Sequence, residues 1–181
     1  MATTPQALIG EIDRLADRPQ EIMNRGHWFP MAAFGLLSII AGVIFTSWDP
    51  NTTSSWLVFA IGAPIAALAT MAWFSALGER SGVRPTNPWK YPVLALVCFM
   101  GCGAVGVFVS EQWVLAGILV VVGFCQIGFA LLDKYSPLVM TGVGLGFLGV
   151  ALGIGEASSA TSALLVGGFL LAAAVSEAVS S

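Results

Sequence analysis

Six long apolar segments alternate with short polar loops, and every Lys and Arg falls on one side of a membrane if each segment is a transmembrane helix. A bilayer core requires about 20 apolar residues per helix, which each segment supplies. Cationic loops resist translocation, so the pattern predicts six spans with both termini in the cytoplasm. The basic residues are Arg14, Arg18 and Arg25 before the first span, Arg80, Arg84 and Lys90 between the second and third, and Lys134 between the fourth and fifth.

The composition agrees with a lipid-embedded chain. Of 181 residues, 57% are hydrophobic and 9% are charged, whereas soluble domains carry about 25% charged residues. Too few charges are present to cover a water-facing surface, so the lipid bilayer is the expected partner of most of the chain. Nucleic-acid binding is not expected, because it needs clustered Lys and Arg to neutralise phosphates. The expected location is a bacterial inner membrane, crossed several times.

The predicted fold is an all-α integral membrane protein whose six spans form three helical hairpins. Residues 1–28 form a cytoplasmic tail with a short amphipathic helix, 29–178 the six-helix domain, and 179–181 a cytoplasmic C-terminus. The tail helix either lies on the membrane surface or docks on a partner, or it packs against the loops of the bundle. The spans are predicted at 29–47, 56–77, 91–110, 112–132, 137–155 and 160–178.

Glycines recur at helical spacing and suggest close helix packing. An offset of 107 residues aligns Gly35 with Gly142 and Gly42 with Gly149, which indicates that the first hairpin repeats in the third. Glycine allows two helix backbones to approach closely in lipid. The contacts lie within the bundle or, alternatively, at a dimer interface, and a helix that bends during transport is a third alternative. The predicted packing residues are Gly142, Gly146, Gly149, Gly153, Gly35 and Gly42.

Three carboxylates lie in the loops on the non-cytoplasmic side. Asp49 and Glu156 align under the same offset of 107, and Glu111 occupies a similar position in the middle hairpin. If these residues form a symmetric rim, they could bind a cation or sense pH. The alternative is ordinary negative charge on translocated loops.

Polar groups inside the spans are scarce. Gln126 is the amide placed deepest in the membrane, where it either bonds to a neighbouring helix or lines a polar path. No ionisable residue is expected near a span centre, which argues against an ion-coupled pump. Asp133 and Glu177, near span ends, are interpreted as solvated end groups. The only histidine, His27, is interpreted as a residue of the membrane interface.

No constellation typical of catalysis is visible. Cys98 and Cys102 lie one helical turn apart and could bind a metal or react, but a role as small core residues fits their mid-span position better. The relation of Cys125 to this pair is not given by the sequence. We therefore expect no catalytic residue, no metal and no cofactor.

The first hairpin combines Gly35 and Gly42 with the turn Asp49-Pro50 and with Gly62. This pattern resembles that of HdeD-type proteins, small six-helix bacterial membrane proteins linked to acid resistance. The entry to the first span, Trp28-Phe29-Pro30, is similar to that of some actinobacterial integral membrane proteins. The resemblance implies an envelope-stress or accessory role and transfers no catalytic residue.

Together these observations lead to two functional expectations. The first is a non-enzymatic membrane protein with a structural, accessory or envelope-stress role, acting through helix packing with another copy or another membrane protein. The alternative is a small transporter or channel subunit for an ion or an apolar solute.

Overall fold

The computed structural model describes residues 26–47, 53–81, 89–109, 111–133 and 135–180. The regular structure in these ranges is entirely α-helical. The six helices are α1 (Trp28–Ser47), α2 (Thr53–Ser81), α3 (Lys90–Phe108), α4 (Glu111–Asp133), α5 (Ser136–Ile154) and α6 (Ser159–Ser180).

All six helices are long and apolar enough to cross a membrane. Their apolar spans begin and end within two residues of the positions expected from the sequence, so the prediction of an all-helical protein with six candidate spans is confirmed. Helices suit this solvent because they satisfy their own backbone hydrogen bonds, which lipid cannot do. The predicted amphipathic helix of the tail lies outside the described residues.

The turn between α5 and α6 shows how local chemistry ends one helix and starts the next. Glu156 has φ = 49°, in the left-handed region that commonly terminates helices. The Ser158 hydroxyl then accepts a hydrogen bond from the Thr161 backbone N–H at 3.2 Å, which caps the first turn of α6. The chain therefore reverses direction within a few residues.

The core of the bundle lies among α1, α4, α5 and α6. The most extensive packing joins α1 to α6 and α4 to α5, whereas α2 packs mainly on α1 and α3 mainly on α4. Leu145 of α5 is 1% exposed and contacts apolar side chains of α4 and α6. A second cluster joins the start of α1 to the end of α4, the start of α5 and the end of α6 through Met31, Ala130, Leu138 and Ala174.

The two remaining helices lie at the edges of the bundle. The structure describes α3 from end to end, and none of its residues is buried. In α2, large apolar side chains such as Ile65 and Leu68 are also exposed. In lipid this exposure carries no hydrophobic cost, because the hydrocarbon is as apolar as the side chains.

Candidate functional site

Polar and aromatic side chains converge at the end of the bundle where α1, α3 and α5 begin and where α4 ends. We call this group the His27 cluster; its members are His27, Phe74, Tyr91, Asp133 and Tyr135. The His27 Nε2 atom lies 3.4 Å from Asp133 Oδ2, and the residue is only 7% exposed. His27 is therefore a buried member of a polar network.

Asp133 is the hub of this network. Its Oδ1 atom accepts a hydrogen bond from the Tyr91 hydroxyl, while Oδ2 faces His27. One carboxylate thereby joins the starts of α1 and α3 to the end of α4. The interpretation of Asp133 and Glu177 as solvated end groups is wrong: the Asp133 side chain is 15% exposed and Glu177 is 6% exposed. Neighbouring helices cover both residues, which their position near a span end does not reveal.

Aromatic rings enclose His27 on two sides. Its imidazole stacks on Tyr135 with ring centroids 5.1 Å apart, and it lies 5.4 Å from the tilted ring of Phe74. Next to it, the Trp73 indole N–H donates a hydrogen bond to the Gly26 carbonyl at 3.2 Å. These contacts attach α2 to α1 and exclude water from the imidazole.

Burial lowers the pKa of His27 below its usual value of 6.5, although the Asp133 carboxylate opposes the shift. The imidazole is therefore neutral at pH 7. A neutral imidazole carries a single N–H. We place that proton on Nε2, because this atom faces the Asp133 carboxylate.

We expect the protein to lose stability as the pH falls below about 6.5. Below that value the unfolded chain takes up a proton at His27 while the folded protein does not, and this difference favours unfolding until the folded-state pKa is reached. The measurement is the melting temperature in detergent between pH 7.5 and 5.5, for the wild type and for His27→Gln. His27 is the only histidine, so a decline of equal size in the variant would contradict this assignment.

The contacts of the His27 cluster connect the ends of helices. Tyr91 donates its proton to a carboxylate that also faces His27, so the imidazole does not activate the hydroxyl as a nucleophile. Within the described ranges, no group of three His, Cys, Asp or Glu side chains has the geometry of a metal site. What this arrangement can do chemically is hold and release one proton at His27.

The three thiols meet between α3 and α4. Cys98 of α3 lies close enough to Cys102 and to Cys125 of α4 for its thiol to interact with both. All three are free thiols. The sequence indicated the first contact through its one-turn spacing but carried no signal for the contact with Cys125.

Gln126 has an unsatisfied buried atom. Its Oε1 is buried and accepts no hydrogen bond within the described part of the chain. The described spans also contain the hydroxyl groups of Ser38, Thr70 and Thr141, which could in principle donate to this oxygen. Each of these hydroxyls instead donates to the carbonyl four residues earlier in its own helix, the usual alternative for Ser and Thr in membrane helices.

Gly142, Gly149 and Gly153 of α5 lie against α4. A Cβ atom placed on Gly142 would lie 2.6 Å from the Gly123 carbonyl oxygen, and one on Gly149 would lie 2.8 Å from the Leu119 Cβ. At Gly153 the added atom would collide with the Trp113 ring. Gly146 differs, since an added Cβ would meet no described atom within 4 Å.

The glycines of α1 lie against α6 in the same manner. A Cβ on Gly35 would lie 3.1 Å from the Leu171 backbone nitrogen, and one on Gly42 would lie 2.6 Å from the Leu164 side chain.

The structure leaves the proposed carboxylate rim largely outside the described residues. Asp49 is not described, and of Glu111 only the backbone at the start of α4 is described. Glu156 is exposed on the turn before α6.

An apolar cleft of about 450 Å³ lies between the end of α3 and the start of α4. The sequence did not indicate it, because a cleft depends on how two apolar helices diverge. Its lining residues are Val105, Val109, Trp113, Ala116, Gly117, Val120, Val121 and Val150. Such a surface can hold hydrocarbon, and its described lining residues carry no charge.

No protein-family model, no curated protein and no solved structure matches the chain. The resemblance to HdeD-type proteins therefore stays a prediction.

Proposed function

We propose that this chain is a non-enzymatic integral protein of a bacterial inner membrane, with a structural, accessory or envelope-stress role exercised through helix packing. In this proposal the six spans form three helical hairpins with both termini in the cytoplasm. The observation that carries it is the His27 cluster, whose polar side chains join α1, α3 and α4. In this proposal the side chains of His27, Tyr91 and Asp133 hold the helices together.

Two further features support this reading. The glycine contacts of α1 with α6 and of α4 with α5 bring backbones together, as expected of a protein that works by packing. The orientation rests on the positions of the basic residues in the sequence. Lys90, at the start of α3, is an exposed member of that set.

The test is affinity purification of the tagged protein from native membranes in mild detergent, with mass spectrometry of the proteins recovered. We expect a stoichiometric membrane-protein partner or a homo-oligomer. Recovery as a lone monomer, together with unchanged acid and detergent survival of a deletion strain, would overturn the proposal.

The carboxylate rim has its own test. If Asp49, Glu111 and Glu156 sense pH or bind a cation on the non-cytoplasmic side, the triple variant Asp49→Asn, Glu111→Gln, Glu156→Gln will lower acid survival. Glu79→Gln, at an exposed carboxylate near the opposite end of the bundle, is the matched control. Equal survival of wild type and triple variant would reject the role of the rim.

A small transporter or channel subunit is the second candidate, and Gln126 is the observation that favours it. A buried amide oxygen with no described partner is costly in lipid and is available to a passing polar group. Reconstituted protein should then conduct an ion or a small solute into liposomes, and Gln126→Leu should reduce the flux. Equal flux in empty and protein-containing liposomes would reject this alternative.

A further inference from the structure

Two contacts fix how α3 packs against α4 in the middle of both helices. A Cβ added to Gly128 of α4 would lie 3.1 Å from the Leu94 side chain of α3. A Cβ added to Gly101 of α3 would lie 2.9 Å from the Val121 side chain of α4. From the first contact to the second, the residue number rises along α3 and falls along α4, so the helices run antiparallel. A glycine at each contact allows the two helices to approach closely.

Two thiols lie between these contacts, one on each helix. Cys98 lies between the two contact positions of α3, and Cys125 lies between the two contact positions of α4. The antiparallel register therefore places Cys98 opposite Cys125, and their thiol groups are close enough to interact. Cys102, one turn further along α3, also interacts with Cys98. All three are free thiols.

Lipid is the medium that reaches these thiols. Cys98 is the ninth residue of α3, which places it about 12 Å along the helix axis from the helix start. Cys98 and Cys102 are partly exposed on a helix that has no buried residue, whereas Cys125 is 8% exposed. Charged groups enter hydrocarbon at a high cost. A reagent that changes these thiols must therefore be soluble in the membrane.

We propose that Cys98 and Cys125 form a redox-sensitive pair, which the organic hydroperoxide of an oxidised membrane lipid converts to a disulfide between α3 and α4. This modification site goes beyond the proposed packing role and does not depend on it. Cys125 is the partner of Cys98 because it faces Cys98 from another helix. Cys102 lies on the same face of the same helix as Cys98, so the Cα–Cβ bonds of these two residues point in the same direction.

The reaction has two steps and leaves no net charge in the lipid. In the first, the Cys98 sulfur attacks the terminal peroxide oxygen, the O–O bond breaks and an S–O bond forms. The thiol proton passes to the other peroxide oxygen, which leaves as the lipid alcohol, and Cys98 becomes a sulfenic acid. In the second, the Cys125 sulfur attacks the sulfenic sulfur, the S–O bond breaks, and the hydroxyl leaves with the Cys125 proton as water. The two thiols together supply the two electrons that reduce the peroxide.

The disulfide would fix the helix that the bundle holds least firmly. Helix α3 packs mainly on α4 and has no buried residue, so a bond to α4 prevents its separation. A disulfide also closes a loop through the connection between the two helices, which restricts the unfolded chain. Once formed, the bond should persist, because thiol–disulfide exchange requires an attacking thiolate with access to it.

The experiment uses the full chain, reduced and reconstituted into liposomes that contain a phosphatidylcholine hydroperoxide. Matched liposomes contain the corresponding lipid alcohol. After the remaining thiols are alkylated, mass spectrometry identifies the linked peptides. We expect a Cys98–Cys125 disulfide with one lipid alcohol formed per disulfide, and no disulfide in the control liposomes. The oxidised protein should melt about 5–10 °C above the reduced protein.

Two alanine variants separate the roles of the neighbouring thiols. Cys102→Ala should retain the disulfide and the rise in melting temperature. Cys125→Ala should lose both, and its Cys98 should be trapped as a sulfenic acid by a cyclic dione reagent. Alanine is small and apolar, so it suits the lipid-embedded position of either thiol.

The mapping of the wild type decides the inference even if Cys125→Ala does not fold. A wild type without a disulfide, a bridge between Cys98 and Cys102, or equal oxidation in the alcohol liposomes would overturn it. The proposed packing role is tested by the proteins that are recovered with the chain, so its failure and the failure of this inference are distinguishable.

Discussion

Gly142→Ala is expected to destabilise the folded protein by about 2–3 kcal/mol, whereas Gly146→Ala, one turn further along α5, is expected to be neutral or stabilising by up to about 1 kcal/mol. The Cβ added at Gly142 would lie 2.6 Å from the Gly123 carbonyl oxygen and 3.1 Å from the Ile127 backbone nitrogen. Backbone atoms cannot rotate away, so α4 and α5 would have to separate. At Gly146 the Cβ has open space, and alanine favours the helix.

The measurement is thermal unfolding in detergent or nanodiscs, followed by tryptophan fluorescence. Gly123→Ala should resemble Gly142→Ala, and the double variant should lose less than the sum of the two, because either change alone separates the same pair of backbones. Equal melting temperatures for Gly142→Ala and Gly146→Ala would show that the close approach of α4 and α5 is not at Gly142.

Asp133→Asn is expected to destabilise the protein by about 2–4 kcal/mol, because it breaks a mostly buried polar network. The Asp133 side chain is 15% exposed and faces both Tyr91 and His27. The asparagine side chain has a single accepting oxygen. That oxygen can face either Tyr91 or His27, and the amide nitrogen would then face the other of these two donors. Tyr91→Phe removes one hydrogen bond and should cost about 1 kcal/mol.

Melting temperatures at pH 7.5 of the two single variants and the double variant form a double-mutant cycle. We expect a coupling between Tyr91 and Asp133, since they share one hydrogen bond. Glu79→Gln, at an exposed carboxylate on the last turns of α2, is the control and should leave the melting temperature unchanged. If Asp133→Asn behaves like this control, Asp133 is not the hub of the His27 cluster.

The positions of the six helices could be read from the sequence to within two residues at each end of the apolar spans. The reason is physical: the bilayer sets a minimum apolar length, and lipid leaves the backbone no partner outside its own helix. Of the six glycines singled out by their spacing, five lie where an added Cβ would crowd a neighbouring helix, and Gly146 does not. Gly123 and Gly167, which lie opposite Gly142 and Gly35, were not singled out. Gly146 shares the spacing of Gly142 and Gly149, but only the crossing of α4 and α5 determines which of these glycines has no room for a Cβ.

The sequence by itself determined the helices, their lengths and their apolar character, because these depend on each segment and its solvent. It did not determine which helices pair, because apolar helices have no polar pattern on their surfaces to specify a neighbour. Only the tertiary structure placed α1 on α6 and α4 on α5. It also brought His27, just before α1, into contact with Asp133, the last residue of α4, although four helices separate them in the sequence. A lone histidine and a carboxylate at a span end became a buried pair because the three-dimensional arrangement covers both with aromatic rings and neighbouring helices.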